Sequence, residues 1–311
     1  MPKISVITPS LNQGMFLRDM IESVMSQSFK DFEHIIVDGG STDETIDIIR
    51  EYPHIIFISE KDESVSEAYI KATSMATGKY IIQCCTSDGF LYKDWFMKCV
   101  EIMDGNDEIS MVWGLPQCMS EDGFLQKIVT PEYFDSAPPQ MQAFLPFWLA
   151  SGHVMYEGNQ CTRRNVFVSC FPKDIDKSLF KDNILLDFVY AFITQGYLPY
   201  FVPVIANYGR IHHDALSQIC MEKSQLMDRS YLELIRLYRR KVFSGGIVHN
   251  FRNGSSCIVG SVGSMDLPQI RKKYYATKIR NLLNITMYQV VRYFLRRVGL
   301  WNIIKDRLDW T

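Results

Sequence analysis

Two of the Asp-Gly strings stand where strands are expected to end: Asp38-Gly39-Gly40 and Asp88-Gly89. The glycines let a ligand approach the backbone closely. The carboxylates can accept hydrogen bonds from a base or a ribose, or from a metal-bound water. Asp-Gly is also common turn chemistry, and one such string alone reads as a turn. Two at the same edge of one sheet favour a ligand. A third string, Arg210-Ile211-His212-His213-Asp214, joins a guanidinium to two imidazoles after an apolar run. His212 is its stronger functional position. His34, His54, His153 and His249 stand outside any constellation and read as structural.

These residues need elements to hold them. Short β-branched runs occur at 4–8, 34–38, 55–59, 80–85 and 109–114, with helix-period segments between them. Phe16, Leu17, Met20, Ile21, Val24 and Met25 recur at helical spacing. Ser41 stands three residues before Glu44, in the order of a capping box for a helix reaching about Glu51. Strand–helix alternation predicts an α/β fold: a mostly parallel sheet with helices on both faces. Ligands of such sheets bind beyond the carboxyl ends of the strands. Thr8-Pro9-Ser10, Asp38-Gly39-Gly40 and Thr86-Ser87-Asp88-Gly89 therefore share one edge. Farther on, the pattern predicts a helix over 183–194 stopped by Gly196, an apolar strand over 200–205 and a long helix over 224–242. The Gly- and Ser-rich stretch 244–264 reads as a hinge or loop, followed by a helical region from Gln269.

Composition sets the outer bounds. A chain of 311 residues, 47% hydrophobic and 22% charged, is neither disordered, collagenous nor integral to a membrane. No uninterrupted apolar run reaches about 18 residues, so no transmembrane helix is expected. The opening MPKISVITPS is strand-like and does not read as a signal peptide. Eight cysteines without a CxxC pair form no disulfide framework, and Cys84–Cys85 read as core side chains; a cytoplasmic location is expected. The net charge of −2 hides a split. From Leu267 onward ten Lys or Arg face only Asp306 and Asp309, a local +8, while the preceding residues sum to −10. A basic end on an acidic body signals a surface partner.

The strings ISVITPSLNQGMFLRDMIESVMSQSFKDFEHIIVDGGSTDETIDII, SEKDESVSEA, ATGKYI, TSD, NQCTRRNVF and GRIHHDALS, in that order, resemble the family-2 glycosyltransferases with the GT-A fold. The likeness runs from Lys3 to about Ser217. It implies a GT-A domain over 1–217, with a nucleotide-binding half (1–115) and an acceptor half (116–217), then a helical, basic extension over 218–311. It implies transfer of a sugar from a nucleotide diphosphate donor to an acceptor hydroxyl with inversion, in polysaccharide or lipid-linked oligosaccharide synthesis. The DGGSTDET form resembles members that use UDP sugars. By the same resemblance Thr8, Pro9 and Ser10 line the nucleotide pocket, Asp38 accepts from the base, and Asp62 faces the nucleotide. Asp88 lies beside the ribose and diphosphate, and Arg163 and Arg210 lie near the diphosphate or acceptor. The catalytic base matches Asp187 in position, with Asp182 second.

The sequence also departs from that pattern. Family members usually end strand four with two acids, the second of which ligates Mg²⁺ or Mn²⁺; here Gly89 follows Asp88. Ser64, Glu67 and Ile70 stand where Gly, Asp and Asn are usual. Two readings stay open for the cation: Asp88 holds it with His212 or His213, or cationic side chains replace it. The alternative to a transferase is a catalytically silent nucleotide-sugar-binding or scaffold subunit of a membrane-associated complex. Expected partners are the donor, a glycan or lipid-linked acceptor and, through the basic segment, the anionic inner face of a membrane. Ile279, Leu282, Leu283, Val290 and Phe294 supply apolar surface between those charges. Nucleic acid is not expected, because no nucleic-acid module accompanies the basic residues.

Overall fold

The computed structural model describes residues 1–128, 157–173, 184–213, 247–250, 252 and 254–259, with isolated helical positions at 237 and 297. Four parallel strands open the chain: β1 (Ile4–Ser10), β2 (Phe32–Asp38), β3 (Ile55–Ser59) and β4 (Tyr80–Gln83). They are linked by α1 (Gly14–Met25), α2 (Thr45–Arg50) and α3 (Val65–Met75). Then come β5 (Gly89–Phe90), α4 (Trp95–Gly105), β6 (Ile109–Ser120) and β7 (Leu125–Ile128). A 3-10 turn at Glu157–Asn159 leads into β8 (Cys161–Arg163), α5 (Arg164–Cys170), α6 (Ile184–Thr194) and β9 (Leu198–Ile211).

The main sheet has the order β3-β2-β1-β4-β8-β6-β9-β5, with β7 on β6. β8 is antiparallel to both β4 and β6, and β6 is parallel to β9. β6 and β9 therefore point the same way as β1–β4, and the sheet is mostly parallel, as the alternation predicts. Both faces are covered, which is why its strands are apolar without a polar side. Ile7, Ile35, Val37, Ile81, Met111 and Trp113 pack towards Tyr69 of α3, Phe167 of α5 and Phe188 and Phe192 of α6. Val6, Ile36, Ile82 and Val112 pack against Leu17, Met20, Ile21 and Val24 of α1 and Phe96 of α4. Each such fully buried side chain contributes about 1.5–3 kcal/mol.

Two local expectations are corrected. The capping box at Ser41 does not form: α2 begins at Thr45, and the Ser41 hydroxyl bonds to Asp38 instead. A related cap forms one helix later, where the N-cap Ser64 accepts from the Glu67 N–H (3.3 Å) and the Glu67 carboxylate accepts from the N–H of Glu63, the residue before the cap (3.0 Å). Two of the three departures after SEKD thus cap α3, and the third, Ile70, packs on the core. The stretch read as a loop over 244–264 contains a hairpin, β10 (Ile247–Asn250) with β11 (Ser256–Val259). His249 fastens it to the main body, with Nδ1 2.6 Å from the Gly196 carbonyl and Nε2 3.0 Å from Glu108. The helices expected over 224–242 and from Gln269, and the basic segment itself, lie outside the described residues.

Candidate active site at the carboxyl edge of the sheet

The ends of β1 and β2 are held by a lattice between their loops. Asn12, in the left-handed region at φ 50°, accepts from the Thr42 N–H (2.8 Å) and donates its own N–H to the Ser41 hydroxyl (2.7 Å). Asp43 accepts from the N–H groups of Gly14 (3.0 Å) and Thr45 (3.1 Å). Asp38 is fully buried and accepts from Gly40 N (3.0 Å), Ser41 N (2.9 Å), the Ser59 hydroxyl (2.7 Å) and the Ser41 hydroxyl. Its visible role is to shape the DGGS turn. Gly39 is required beside it, because a Cβ there would lie 2.7 Å from Asp62 Oδ1. Asp62 is thereby brought against the turn, where burial and the negative charge of Glu67 raise its pKa.

The Thr8-Pro9-Ser10 residues divide their work. Thr8 is fully buried, and its hydroxyl lies 3.1 Å from Nε2 of His34, an imidazole that burial lowers to about 3. The Pro9 carbonyl accepts from the Thr86 hydroxyl (2.7 Å), and the Ser10 carbonyl from the Gly39 N–H (2.8 Å). The Ser10 hydroxyl is buried and has no hydrogen-bond partner among the described residues.

Asp88 stands across this edge, half-buried. Its Oδ1 accepts from the Arg210 N–H at 3.2 Å, and burial pushes its pKa up to about 7, with Arg210 offsetting only part of that. Two glycines flank it: a Cβ on Gly158 would lie 3.3 Å from Oδ2, and one on Gly209 3.8 Å from Oδ1. Buried Asn159 holds the Gly158 turn by pairing with both backbone groups of Gly114 and with the Asn207 side chain. Gly89 is not an open ligand position. A Cβ there would meet the Tyr208 hydroxyl at 2.5 Å and the Ser23 hydroxyl at 2.7 Å, so the place of the second acid is filled by packing.

Of the two arginines, Arg163 needs correction. Arg163 ends β8, which runs against its neighbours, so it pairs with Tyr80 at the edge where β1 and β4 begin. There it donates to the carbonyls of Ile109 (2.7 Å), Met103 (2.6 Å) and Asn106 (3.1 Å), away from Asp38 and Asp88. Arg210 is at the right edge, but its buried guanidinium binds protein groups: Asp19 (2.6 Å), the Glu121 carbonyl (3.0 Å) and the Ser87 carbonyl (3.4 Å). The Phe16 ring covers it at 4.8 Å and also packs against His212, with ring centroids 4.7 Å apart. His212 is buried, whereas His213 is exposed and 3.2 Å from Glu121. Among the described residues no group of three His, Cys, Asp or Glu is arranged to hold a metal. Asp88 between its two glycines does suit a cation whose remaining ligands are phosphate oxygens and water, the usual habit of Mg²⁺.

Asp187 lies buried in the first turn of α6. The turn at Gly196 (φ 79°) reverses the chain into β9 at the far edge of the sheet. α6 packs on the core through Leu186, Phe188, Val189 and Phe192. Asp182 lies outside the described residues. Asp19 and Phe16 were not singled out in the sequence, because both read there as ordinary positions on an amphipathic helix.

The architecture is that of the GT-A proteins. Staphylococcus aureus TarS in complex with UDP-GlcNAc superposes with a TM-score of 0.56 at 16% identity, over 78% of this chain and 66% of that one. The mannosyltransferase PcManGT of Pyrobaculum calidifontis, in complex with GDP-Man and Mn²⁺, gives 0.51 at 13% identity over 90% and 87%. The model for glycosyl transferase family 2 matches residues 5–167, and the chain belongs to that family. Among curated relatives, Bacillus subtilis TuaG, named for teichuronic acid biosynthesis, is 37% identical over 108 residues, 33% of this chain and 42% of that protein. A PGL/p-HBAD biosynthesis glycosyltransferase of Mycobacterium tuberculosis is 29% identical over 118 residues, 36% of this chain and 46% of its own. The matched region thus spans about half the length of these relatives.

Proposed function

We propose that this chain is a glycosyltransferase of polysaccharide or lipid-linked oligosaccharide synthesis that moves a sugar from a UDP sugar to an acceptor hydroxyl, with inversion. The observation that carries this reading is Asp88, a carboxylate desolvated at the carboxyl edge with glycine on two sides. Burial disfavours its charge, and a bound cation restores it. A nucleotide diphosphate with Mg²⁺ or Mn²⁺ brings such a cation to the site. The UDP-GlcNAc and GDP-Man–Mn²⁺ complexes of proteins with this fold support that class of donor.

In this reading the base and ribose lie over the Asp38–Ser41 turn, with Asp62 beside them and the unpartnered Ser10 hydroxyl as a donor or acceptor. Asp88 faces the diphosphate. The cation supplies positive charge where the leaving diphosphate becomes more negative. Asp187 takes the proton of the acceptor hydroxyl, whose oxygen attacks the anomeric carbon opposite the leaving group. That geometry inverts the centre. Docking on the inner face of a membrane through the basic segment belongs to the same proposal. Among the described residues no helix is long and apolar enough to cross one.

A thermal-shift screen of nucleotide sugars with and without Mn²⁺ tests the donor class, since a ligand of the folded state raises the melting temperature. A UDP sugar is expected to shift the protein more than its GDP counterpart, and more with Mn²⁺ than without. A larger shift with GDP sugars, or none with any donor, overturns the assignment.

A further inference from the structure

Arg210 has a use that the proposed reaction leaves open. Its Nη2 binds Asp19 Oδ2 at 2.6 Å, and the guanidinium side chain is 4% exposed while that of Asp19 is 60% exposed. Its Nε reaches the carbonyl of Ser87, the residue before Asp88, and its own backbone N–H holds Asp88 Oδ1. Nη1 fixes the Glu121 carbonyl at the turn between β6 and β7, and the Phe16 ring closes one face. One side chain therefore ties α1, the β6–β7 turn and β9 to the segment that carries Asp88.

We infer that Asp19 and Arg210 form a positioning couple for Asp88, which rests on the reading of Asp88 as the carboxylate of the donor site. A buried guanidinium needs a fixed counter-charge. Asp19 is the carboxylate that meets it directly, from the exposed side of α1. Without Asp19, Arg210 is left beside Asp88, whose charge it already influences and which must stay directed at the donor. The guanidinium then pulls on the wrong carboxylate, and the Ser87–Asp88 backbone loses its tether. Arg210 acts through Asp88 and does not touch the donor, so it is a positioning residue.

The test uses the full chain and its best donor, with variants Asp19→Ala, Asp19→Asn and Asp19→Glu. Asp19 itself is mostly exposed, but Asp19→Ala and Asp19→Asn leave the buried Arg210 without its direct counter-charge, so a lower melting temperature is expected and kcat is read well below it, where each variant is folded. Asp19→Ala and Asp19→Asn are expected to lower kcat by about tenfold or more, on the scale that follows a misplacement of about 1 Å. The KM for acceptor should stay unchanged, and Asp19→Glu should recover part of the loss. A pair that only braced the fold would move the melting temperature and leave kcat alone; that outcome overturns the inference. Asp88→Asn, run in parallel, separates the two levels. If it is inactive while Asp19→Ala is normal, the couple fails and the site stands. If Asp88→Asn is fully active, the donor-site reading falls and the couple falls with it.

Discussion

At the residue scale the two Asp-Gly strings at strand ends mark real features, and their chemistry differs. Asp38 is enclosed by four hydrogen bonds and builds a turn, while Asp88 keeps one oxygen next to a glycine. Sequence placed both at one edge but could not say which carboxylate stays available, because that depends on hydroxyls from Ser41 and Ser59 arriving from other segments. The arginines show the same limit. Arg163 was carried over as a site residue from the family resemblance, and β8 runs opposite to its neighbours, which takes it to the other edge. Asp88 gives a pH prediction. Its folded pKa of about 7 lies above the ordinary 3.8, so the fold favours the protonated form. The stability this confers is complete below about pH 4 and is lost as pH rises through 7. Asp88→Asn does not titrate. Its melting temperature relative to the parent protein should therefore be higher at pH 8 than at pH 5, and equal differences at both would refute the burial argument.

At the element scale the first half of the sheet was readable from hydrophobic periodicity, since β1, β2 and β4 are buried on both faces over most of their length and each helix on one. β3 was bounded correctly at Ile55–Ser59, and α6 to within a residue. The hairpin β10–β11 was not readable, because its Gly- and Ser-rich stretch has little apolar alternation. His249 and Arg252, docking on Glu108, hold it in place instead. The caps carry a related lesson: Ser41 and Ser64 have the same local spacing, and a nearby carboxylate at Asp38 captures the first. Gly89 gives the prediction at this scale. Introducing the second acid as Gly89→Asp should not create a stronger cation site, because the side chain must displace Tyr208 and Ser23. Melting curves should show a loss of about 1–3 kcal/mol from overpacking, and calorimetry no gain in Mn²⁺ affinity. Tighter Mn²⁺ binding with unchanged stability would show that the position is open after all.

At the scale of the whole molecule, the proposed docking through the basic end is separable from the chemistry of the acidic body. The family match ends at residue 167 and the likeness of sequence strings near Ser217; we propose that the +8 segment from Leu267 is an addition to the catalytic fold. Each Lys or Arg near an anionic leaflet contributes about 1 kcal/mol, and salt screens that attraction. Sedimentation of the full chain with anionic vesicles should exceed that with neutral ones and fall in high salt. Removal of the residues from Leu267 should abolish the difference. Equal binding to both vesicle types would place these charges against the acidic body instead.

The central claim is that a donor is turned over at Asp88. It is tested most directly by following UDP release from a UDP sugar, with acceptor present, by the parent protein and by Asp88→Asn. Mn²⁺-stimulated release by the parent protein and its loss in a folded Asp88→Asn variant is the predicted result; equal release by the two proteins would contradict it.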